Sequence, residues 1–250
     1  MENTALVLML LLVATVALTV LCVWILAKVS RTEDKLVVMR AELRRSAAWE
    51  FRQVEDLYAL YSRLRPRHPL PNTRGWAASP DFLRIVMDEV LEKSPKKILE
   101  LGSGTSTVTI GYALEKLGSG NLWSLDHDAA YLSTTRHIID LHGLQDRVFS
   151  VHAPLVSIAG YDTKWYDLTD FAETGIDMLV IDGPPAGDAP NARCPALPIL
   201  FERLSPGAVV ILDDADREGE KQCVEAWIKR FPELRVEHRA CEKGCVVLRG

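Results

Sequence analysis

The sequence has no charged residue between positions 5 and 27, where only Thr15 and Thr19 are hydrophilic. As a helix, this run would be about 34 Å long, which is enough to cross a hydrocarbon core of about 30 Å. The preceding residues 1–3 lack Lys and Arg, and the run exceeds the apolar region of a cleaved signal peptide, which is about 7–15 residues. We therefore predict an uncleaved transmembrane anchor over residues 1–29.

The chain also lacks a basic excess and any cysteine spacing typical of zinc sites. Its 250 residues include 29 Lys and Arg against 34 Asp and Glu, a net charge of −5. A nucleic-acid-binding domain usually carries a basic stripe, so this composition argues against nucleic acid as a partner. No Cys-x-x-Cys pair occurs. We expect reduced structural thiols at all five cysteines: Cys22, Cys194, Cys223, Cys241 and Cys245.

Basic residues flank the C-terminal side of the predicted anchor: Lys28, Arg31, Lys35, Arg40, Arg44 and Arg45. Positive flanks of membrane spans tend to stay in the cytoplasm. This charge bias predicts a single-pass membrane protein whose remaining chain is cytoplasmic.

Glycine and proline are absent from residues 29–64, and helix formers dominate there. Hydrophobic residues recur at seven-residue spacing, interrupted by Glu50: Val29, Leu36, Leu43, Leu57 and Leu64. The pattern favours either a parallel coiled coil that makes a homodimer or a single amphipathic helix lying on the domain or the membrane. Prolines then end the helix: Pro66, Pro69 and Pro71. The predicted parts are an anchor (1–29), a helical stalk (30–66) and a C-terminal domain (67–250).

Beyond the stalk, strand-like and helix-like segments alternate. The strand-like segments are residues 97–101, 121–125, 147–152, 178–181, 208–212, 235–240 and 245–248. The helix-like segments are residues 80–93, 105–117, 128–143 and 218–230. Such alternation predicts a doubly wound, mostly parallel α/β sheet of seven strands. The turn at residues 241–244 predicts that the last two strands form an antiparallel hairpin.

The loop after the first predicted strand has two glycines, in the segment ELGSGTST (100–107). In open α/β sheets, ligands bind at the carboxyl ends of the strands, and glycines let a ligand approach the backbone closely. A dinucleotide-binding GxGxxG would require glycine where Thr107 stands, and the carboxylate of Glu100 would repel phosphate. The loop therefore favours a cationic ligand over a pyrophosphate.

This loop, an acid after the second strand and the terminal hairpin together resemble class I S-adenosylmethionine-dependent methyltransferases. Six segments are similar to a bacterial, membrane-anchored branch of that family: GWAASPDFL, ILELGSGTST, SLDHD, VIDGPP, LDDADR and EKGCVVLR. The resemblance covers about residues 71–250. It implies a Rossmann-like fold, S-adenosylmethionine as cofactor, an unidentified methyl acceptor and a location at the bacterial inner membrane.

The resemblance assigns the loop residues to the cofactor's methionine moiety. Gly102, Ser103 and Gly104 would line it, and Glu100 would fix the loop and the ligand's ammonium. Ser106 stands where the family often has another small residue, and it would hydrogen-bond the ligand's carboxylate.

The resemblance also assigns the end of the second strand to the nucleoside. Asp126 would bind both ribose hydroxyls, and His127 would flank the adenine. Asp128 is predicted to be the N-cap of the next helix. Trp76 and Ser79 either close the site from the N-terminal side or have a structural role, with Ser79 predicted as a helix N-cap.

Three acids follow the fourth and fifth predicted strands: Asp182, Asp213 and Asp214. Adjacent like charges are unfavourable unless a cation is bound or a proton is shared, and carboxylates suit Mg²⁺ or another divalent cation. The arrangement is similar to that of catechol- and caffeoyl-type O-methyltransferases, so we predict a metal site formed by all three.

Those enzymes carry a lysine shortly after the strand-four aspartate, which this chain lacks. Asp182 or a metal-bound alkoxide is then the candidate base. The alternative is that the acids cap helices and bind no metal.

The predicted activity is methyl transfer to a hydroxyl of a small-molecule, glycan or lipid-linked acceptor. Aromatic residues of the insert 153–175 either form the acceptor pocket or pack the insert onto the sheet: Tyr161, Trp165, Tyr166 and Phe171. Arg193, at the same edge, is a candidate for binding an anionic acceptor group. The alternative is a catalytically inactive domain that serves as a membrane-tethered binding or assembly module, although the intact loop and Asp126 argue against it.

Overall fold

The structure, a computed structural model, describes residues 2–187, 189 and 191–250. It divides into two units, one ending at Phe51 and the other comprising Arg52–Gly250. The C-terminal unit thus begins at Arg52, whereas the prolines predicted a boundary near residue 67, and the division into anchor, stalk and domain stays a prediction. The reason is burial, because the last turns of the first helix contribute buried side chains to this unit: Gln53, Asp56, Leu60 and Leu64.

The first helix, α1 (Glu2–Leu64), contains residues 2–29 of the predicted anchor, and Met1 lies outside the described residues. It is the one helix of the described chain that is long and apolar enough to cross a membrane, judged by length and composition alone. Leu57 and Leu64, two positions of the seven-residue repeat, pack into the core of the C-terminal unit. The last two positions of the repeat therefore pack inside the protein and are not available to a partner helix. The coiled coil stays a prediction for the exposed positions Val29, Leu36 and Leu43.

Among its described residues, the C-terminal unit continues with five further α-helices and nine strands. The helices are α2 (Pro80–Lys93), α3 (Thr105–Leu117), α4 (Ala129–Leu141), α5 (Ala196–Leu200) and α6 (Glu218–Arg230). The strands are β1 (Lys97–Leu101), β2 (Asn121–Asp126), β3 (Val148–His152), β4 (Leu155–Ser157), β5 (Lys164–Tyr166), β6 (Ile176–Ile181), β7 (Leu204–Asp213), β8 (Arg235–Arg239) and β9 (Cys245–Arg249). A short 3₁₀ helix, Phe201–Arg203, joins α5 to β7.

Seven of the strands form one sheet in the order β3-β2-β1-β6-β7-β9-β8. Neighbours from β3 to β7 are parallel, whereas β9 is antiparallel to both β7 and β8. The predicted doubly wound sheet with a terminal hairpin is confirmed. Its strand order reverses between β1 and β6, and that reversal opens a ligand crevice at the carboxyl edge.

Helices cover both faces of the sheet, and the strands supply alternate residues to two cores. Ile98 and Met178 lie in the core beneath α2 and α3, whereas Leu99 and Leu179 lie in the core that contains Trp227 of α6. Successive strand side chains point to opposite faces, so near-continuous aliphatic runs are needed where both faces are buried. The insert 153–175 adds the two-stranded hairpin β4–β5. The sequence pattern predicted neither this hairpin nor α5.

Candidate active site

The loop after β1 lies against the loop after β6 at the point where the strand order reverses. Gly102 has φ +94°, and a Cβ there would lie 3.1 Å from backbone atoms of Asp182 and Gly183. Both the conformation and the close approach require glycine. Gly104 is the N-cap of α3, and its N–H donates to Thr107 Oγ1 at 2.9 Å. The two glycines therefore leave room at the crevice for a ligand to approach the backbone closely.

Glu100 lies fully buried beneath this loop. Its Oε2 accepts hydrogen bonds from Thr107 Oγ1 (2.5 Å) and Ser124 Oγ (2.6 Å). Its Oε1 is buried without a hydrogen-bond partner among the described residues. Burial raises the pKa of Glu100 to about 7, and hydroxyl donors, with Ser106 among them, oppose the rise. These contacts suit the role of fixing the loop, while contact with a ligand's ammonium stays a prediction. The sequence did not predict that Thr107 links Gly104 to Glu100 through its hydroxyl. In the sequence, Thr107 stood out only because a GxGxxG motif would have glycine there.

Replacing Glu100 should flatten the pH dependence of stability. A carboxyl whose pKa is about 4.5 unfolded and about 7 folded stabilises the protein fully below pH 4.5, and the contribution is lost as pH rises through 7. We expect the free energy of unfolding of the wild type to fall by about 3 kcal/mol from this group across that window. Glu100→Gln should lack this fall, as measured by urea denaturation of the full chain in detergent from pH 4.5 to 8. An unchanged slope would contradict the buried placement.

Asp126, the last residue of β2, is buried and accepts hydrogen bonds at both carboxylate oxygens. Oδ2 accepts from Ser103 N (3.0 Å) and Ser103 Oγ (2.7 Å), and Oδ1 accepts from Asp128 N (3.0 Å). Ser103 thus faces Asp126. A carboxylate has about four acceptor positions, so Oδ1 retains capacity for a ligand hydroxyl. His127 Nδ1 lies 3.5 Å from Oδ1 at the surface of the site. The ribose and adenine roles of Asp126 and His127 stay predictions.

The two predicted N-caps have different outcomes. Asp128 caps α4, accepting from the N–H groups of Ala130 and Tyr131, as predicted. Ser79 occupies the N-cap position of α2, but its side chain makes no cap and instead donates to Asp81 Oδ1 at 2.6 Å. Ser79 is completely buried, whereas Trp76 is 91% exposed. Burial gives Ser79 a structural role.

Tyr166 of β5 reaches the crevice from the insert. It is 1% exposed, and its hydroxyl is buried without a partner in the described part of the chain. A Cβ on Gly183 would lie 2.2 Å from that hydroxyl, which places Tyr166 directly against the loop after β6. Burial, reinforced by the charges of Asp126 and Asp182, raises the pKa of Tyr166 well above 10. Tyr166 is therefore a neutral hydrogen-bond donor at the site. The sequence predicted only that it either forms the acceptor pocket or packs the insert onto the sheet.

The three predicted carboxylates come together, because β6 and β7 are neighbours. Asp182 follows β6, Asp213 ends β7 and Asp214 comes next, with oxygens of all three within 4.8 Å of one another. Asp213 and Asp214 are buried, and the Asp182 side chain is 16% exposed. Asp182 is therefore the member of this acidic cluster that reaches the open edge.

A buried guanidinium lies within the acidic cluster. Arg193 Nη2 donates to Asp182 O (2.9 Å) and Asp214 Oδ2 (2.9 Å) and lies 3.4 Å from Asp182 Oδ1. Its Nη1 donates to Asp213 O at 2.9 Å, and its Nε lies 3.8 Å from Glu220 Oε1. The Arg193 side chain is 4% exposed. Arg193 is therefore not available to an anionic acceptor group, and the prediction that it binds one is wrong.

The residues present do not fit a divalent metal ion, despite their oxygen donors. The two carboxylates that would bridge an ion, Asp182 and Asp214, already share Arg193 Nη2. Asp214 also pairs with Arg217 Nη1 (2.9 Å) and lies 3.8 Å from Lys243 Nζ. An ion here would be placed beside a fixed positive charge, which disfavours its binding.

Two of the carboxyl groups in the cluster hold their protons more tightly than ordinary aspartates. Burial raises the pKa of Asp182 to about 7, and Arg193 opposes the rise. Burial, with the negative charges of Asp182 and Asp214, also raises the pKa of Asp213. Both Asp213 side-chain oxygens lack partners among the described residues, which suits a neutral carboxyl.

Cys194 and Cys223 form a disulfide beside this cluster. Cys194 follows Arg193, and Cys223 lies in α6 one turn after Glu220. The prediction of reduced thiols is therefore wrong for this pair. The two residues are 29 positions apart and matched no spacing rule, since only the packing of α6 against the Arg193 loop brings them together. Cys22, Cys241 and Cys245 are free.

A family model described as a methyltransferase domain matches residues 99–215, which include the loop, Asp126 and all three clustered aspartates. This segment is therefore similar to a methyltransferase domain. The order of its sheet strands and the antiparallel β9 agree with this assignment.

Solved methyltransferase structures share the fold of this domain. A putative O-methyltransferase from Klebsiella pneumoniae is 20% identical with a TM-score of 0.53, over 79% of this chain and 89% of that chain. An O-methyltransferase from Bacillus cereus in complex with SAH is 18% identical with a TM-score of 0.52, over 79% and 89%. An SAH-bound methyltransferase from Podospora anserina is 15% identical with a TM-score of 0.55, over 78% and 87%. No curated protein matches the chain.

Proposed function

We propose that this protein is an S-adenosylmethionine-dependent O-methyltransferase that methylates a hydroxyl on a small-molecule, glycan or lipid-linked acceptor. The observation that carries the proposal is the crevice where the strand order reverses. There the Gly102–Gly104 loop, the Asp126 carboxylate and the Asp182 carboxylate meet at one edge of the sheet. The SAH complexes of two proteins with this fold support the choice of cofactor.

The residues at the crevice fit this cofactor. Glu100 Oε1 is a buried oxygen without a described partner beside the loop, and it suits an ammonium group. Asp126 Oδ1 retains acceptor capacity for ribose hydroxyls. Ser106 is buried in the first turn of α3, beside the loop that would hold the methionine moiety. When bound, S-adenosylmethionine supplies a methyl group activated by a sulfonium.

Asp182 is our candidate for the general base. It is the partly exposed carboxylate of the acidic cluster, and Arg193 holds its main-chain oxygen in place. A carboxylate at this edge can accept the proton of an acceptor hydroxyl as the oxygen attacks the methyl group. Metal assistance, predicted from the three aspartates, is not part of the proposal, because Arg193 occupies the cluster.

Titration calorimetry of the full chain in detergent with S-adenosylmethionine tests the proposal. We expect micromolar binding to the wild type and a loss of about 10–100-fold in affinity for Asp126→Asn, because each hydrogen bond to a charged group contributes about 1.5–3 kcal/mol. Asp128→Asn is the matched control. It makes the same change two residues later, at an N-cap where asparagine serves equally well.

The outcomes separate the two functional hypotheses. Binding to the wild type and to Asp128→Asn, with a loss in Asp126→Asn, supports the enzyme. A folded wild type that binds neither S-adenosylmethionine nor SAH would overturn it and favour the inactive, membrane-tethered assembly module. Equal affinity of Asp126→Asn and the wild type would overturn the role of Asp126 alone.

We further propose that α1 anchors the domain to the bacterial inner membrane and that the domain is cytoplasmic. The apolar run of α1 and its basic C-terminal flank support this placement. The Cys194–Cys223 disulfide favours an oxidising compartment instead.

A membrane tether would suit an acceptor that is itself surface-bound. The exposed repeat positions of α1 support a homodimer through the stalk.

A further inference from the structure

Basic side chains lie against the acidic cluster after β6 and β7. Four acidic side chains take part: Asp182, Asp213, Asp214 and Glu220. Three basic side chains face them: Arg193, Arg217 and Lys243. The positive charges close to these carboxylates are therefore supplied by side chains of the protein itself, without any added ion.

The central cation of this cluster is fixed from several sides. Arg193 makes hydrogen bonds to the main-chain oxygens of both Asp182 and Asp213, at the ends of the two neighbouring strands. Its planar fork also reaches the Asp214 carboxylate. A lysine could provide the charge but not this set of directed bonds. Arg193 therefore joins the ends of β6 and β7 through bonds whose acceptors include the predicted metal ligands.

The loop that carries Arg193, between β6 and α5, is held in place by contacts with α6. The next residue, Cys194, is disulfide-bonded to Cys223 of α6, and Trp227 Nε1 of α6 donates to Cys194 O at 2.8 Å. Glu220, on the same helix, lies beside Arg193 Nε. These contacts restrict the movement by which the guanidinium could leave the cluster to admit an ion.

We propose that Arg193 is the resident cation of this site, in the position that a divalent metal would otherwise take between Asp182 and Asp214. As a positioning residue, it holds the strand ends and leaves Asp182 facing the acceptor, so methyl transfer in this protein needs no metal. The part about the acceptor rests on the proposed function, whereas the occupancy of the cluster does not.

The test is Mn²⁺ titration of the full chain in detergent, followed by electron paramagnetic resonance of free Mn²⁺. We expect no stoichiometric binding to the wild type up to about 1 mM, since the guanidinium opposes the ion. Arg193→Gln removes the charge and should bind one Mn²⁺ at least about tenfold more tightly than the wild type. Arg193→Lys, which retains a cation, should behave like the wild type.

A second readout is thermal unfolding. Mg²⁺ or Mn²⁺ should raise the Tm of Arg193→Gln and leave that of the wild type unchanged, because an ion stabilises only a protein that binds it. One Mn²⁺ bound to the wild type at micromolar concentration would overturn the proposal, as would a folded Arg193→Gln that gains no affinity. If Arg193→Gln does not fold, the wild-type titration decides by itself: no bound Mn²⁺ supports the proposal, and one bound Mn²⁺ overturns it. A failure to bind S-adenosylmethionine would overturn the proposed function without altering these results.

Discussion

Asp182→Asn should lower the rate of methyl transfer by about 10²–10⁴-fold, the usual contribution of a positioned general base. The substitution removes the proton acceptor at the partly exposed edge of the acidic cluster. It keeps the main-chain oxygen that Arg193 binds at 2.9 Å. Affinity for S-adenosylmethionine should change by less than about threefold, which would separate a chemical role from a binding role.

The measurement is transfer of radioactivity from methyl-labelled S-adenosylmethionine to a panel of small hydroxyl compounds and to lipid and glycan extracts of host membranes. Asp177→Asn is the matched control, because Asp177 lies near the start of β6, at the opposite end of that strand from Asp182. There it accepts from the main-chain N–H groups of Lys96 and Lys97, which an asparagine oxygen can also do. Transfer by Asp182→Asn at more than about one tenth of the wild-type rate would remove Asp182 from the role of base.

Reduction of the Cys194–Cys223 disulfide should lower the free energy of unfolding by roughly 3–4 kcal/mol, given a closed loop with a sequence separation of 29. The cross-link restricts the unfolded chain and, in the folded chain, ties the Arg193 loop to α6. The measurement is urea denaturation of the full chain in detergent, with and without a phosphine reductant. The Cys194→Ser/Cys223→Ser variant should be less stable and insensitive to the reductant.

The state of these two thiols in cells also tests the placement of the domain. Disulfides persist mainly in oxidising compartments, whereas the basic flank of α1 favours the cytoplasm. Acid quenching of cells, alkylation of the denatured protein and mass spectrometry should find Cys194 and Cys223 unmodified if the bond is formed. Full alkylation of both, together with stability that the reductant leaves unchanged, would show that the bond is absent. A protected pair would count against a reducing cytoplasm.

The sheet could be predicted from the sequence because its information is local. Largely aliphatic runs such as residues 97–101 and 178–181 predict buried strands. Asp128 is predicted as an N-cap because it directly precedes the residues of α4. The start of the C-terminal unit was harder to predict from the sequence. Prolines end α1 after Leu64, but burial of Leu60 and Leu64 makes its last turns part of the C-terminal unit.

The candidate cofactor loop could also be predicted from the sequence, since glycine is favoured where φ is positive and another backbone segment lies close by. Gly102 meets that requirement against Asp182. What the spacing did not reveal was the use of Thr107, whose hydroxyl links Gly104 to Glu100. Hydrogen bonds of this kind depend on where a side chain points, and no residue pattern in the loop specifies that.

The sequence by itself determined the apolar helix, the α/β alternation and the gathering of three aspartates at one edge, because each follows from local periodicity and the geometry of parallel strands. Only the tertiary structure decided what those aspartates contact. Arg193 lies between Asp182 and Asp214 because the loop after β6 folds back onto the ends of β6 and β7. Cys194 bonds to Cys223 because α6 packs against that loop, which brings together residues 29 positions apart. Charge balance in a buried cluster depends on every group within a few ångströms, and that set is fixed by the fold.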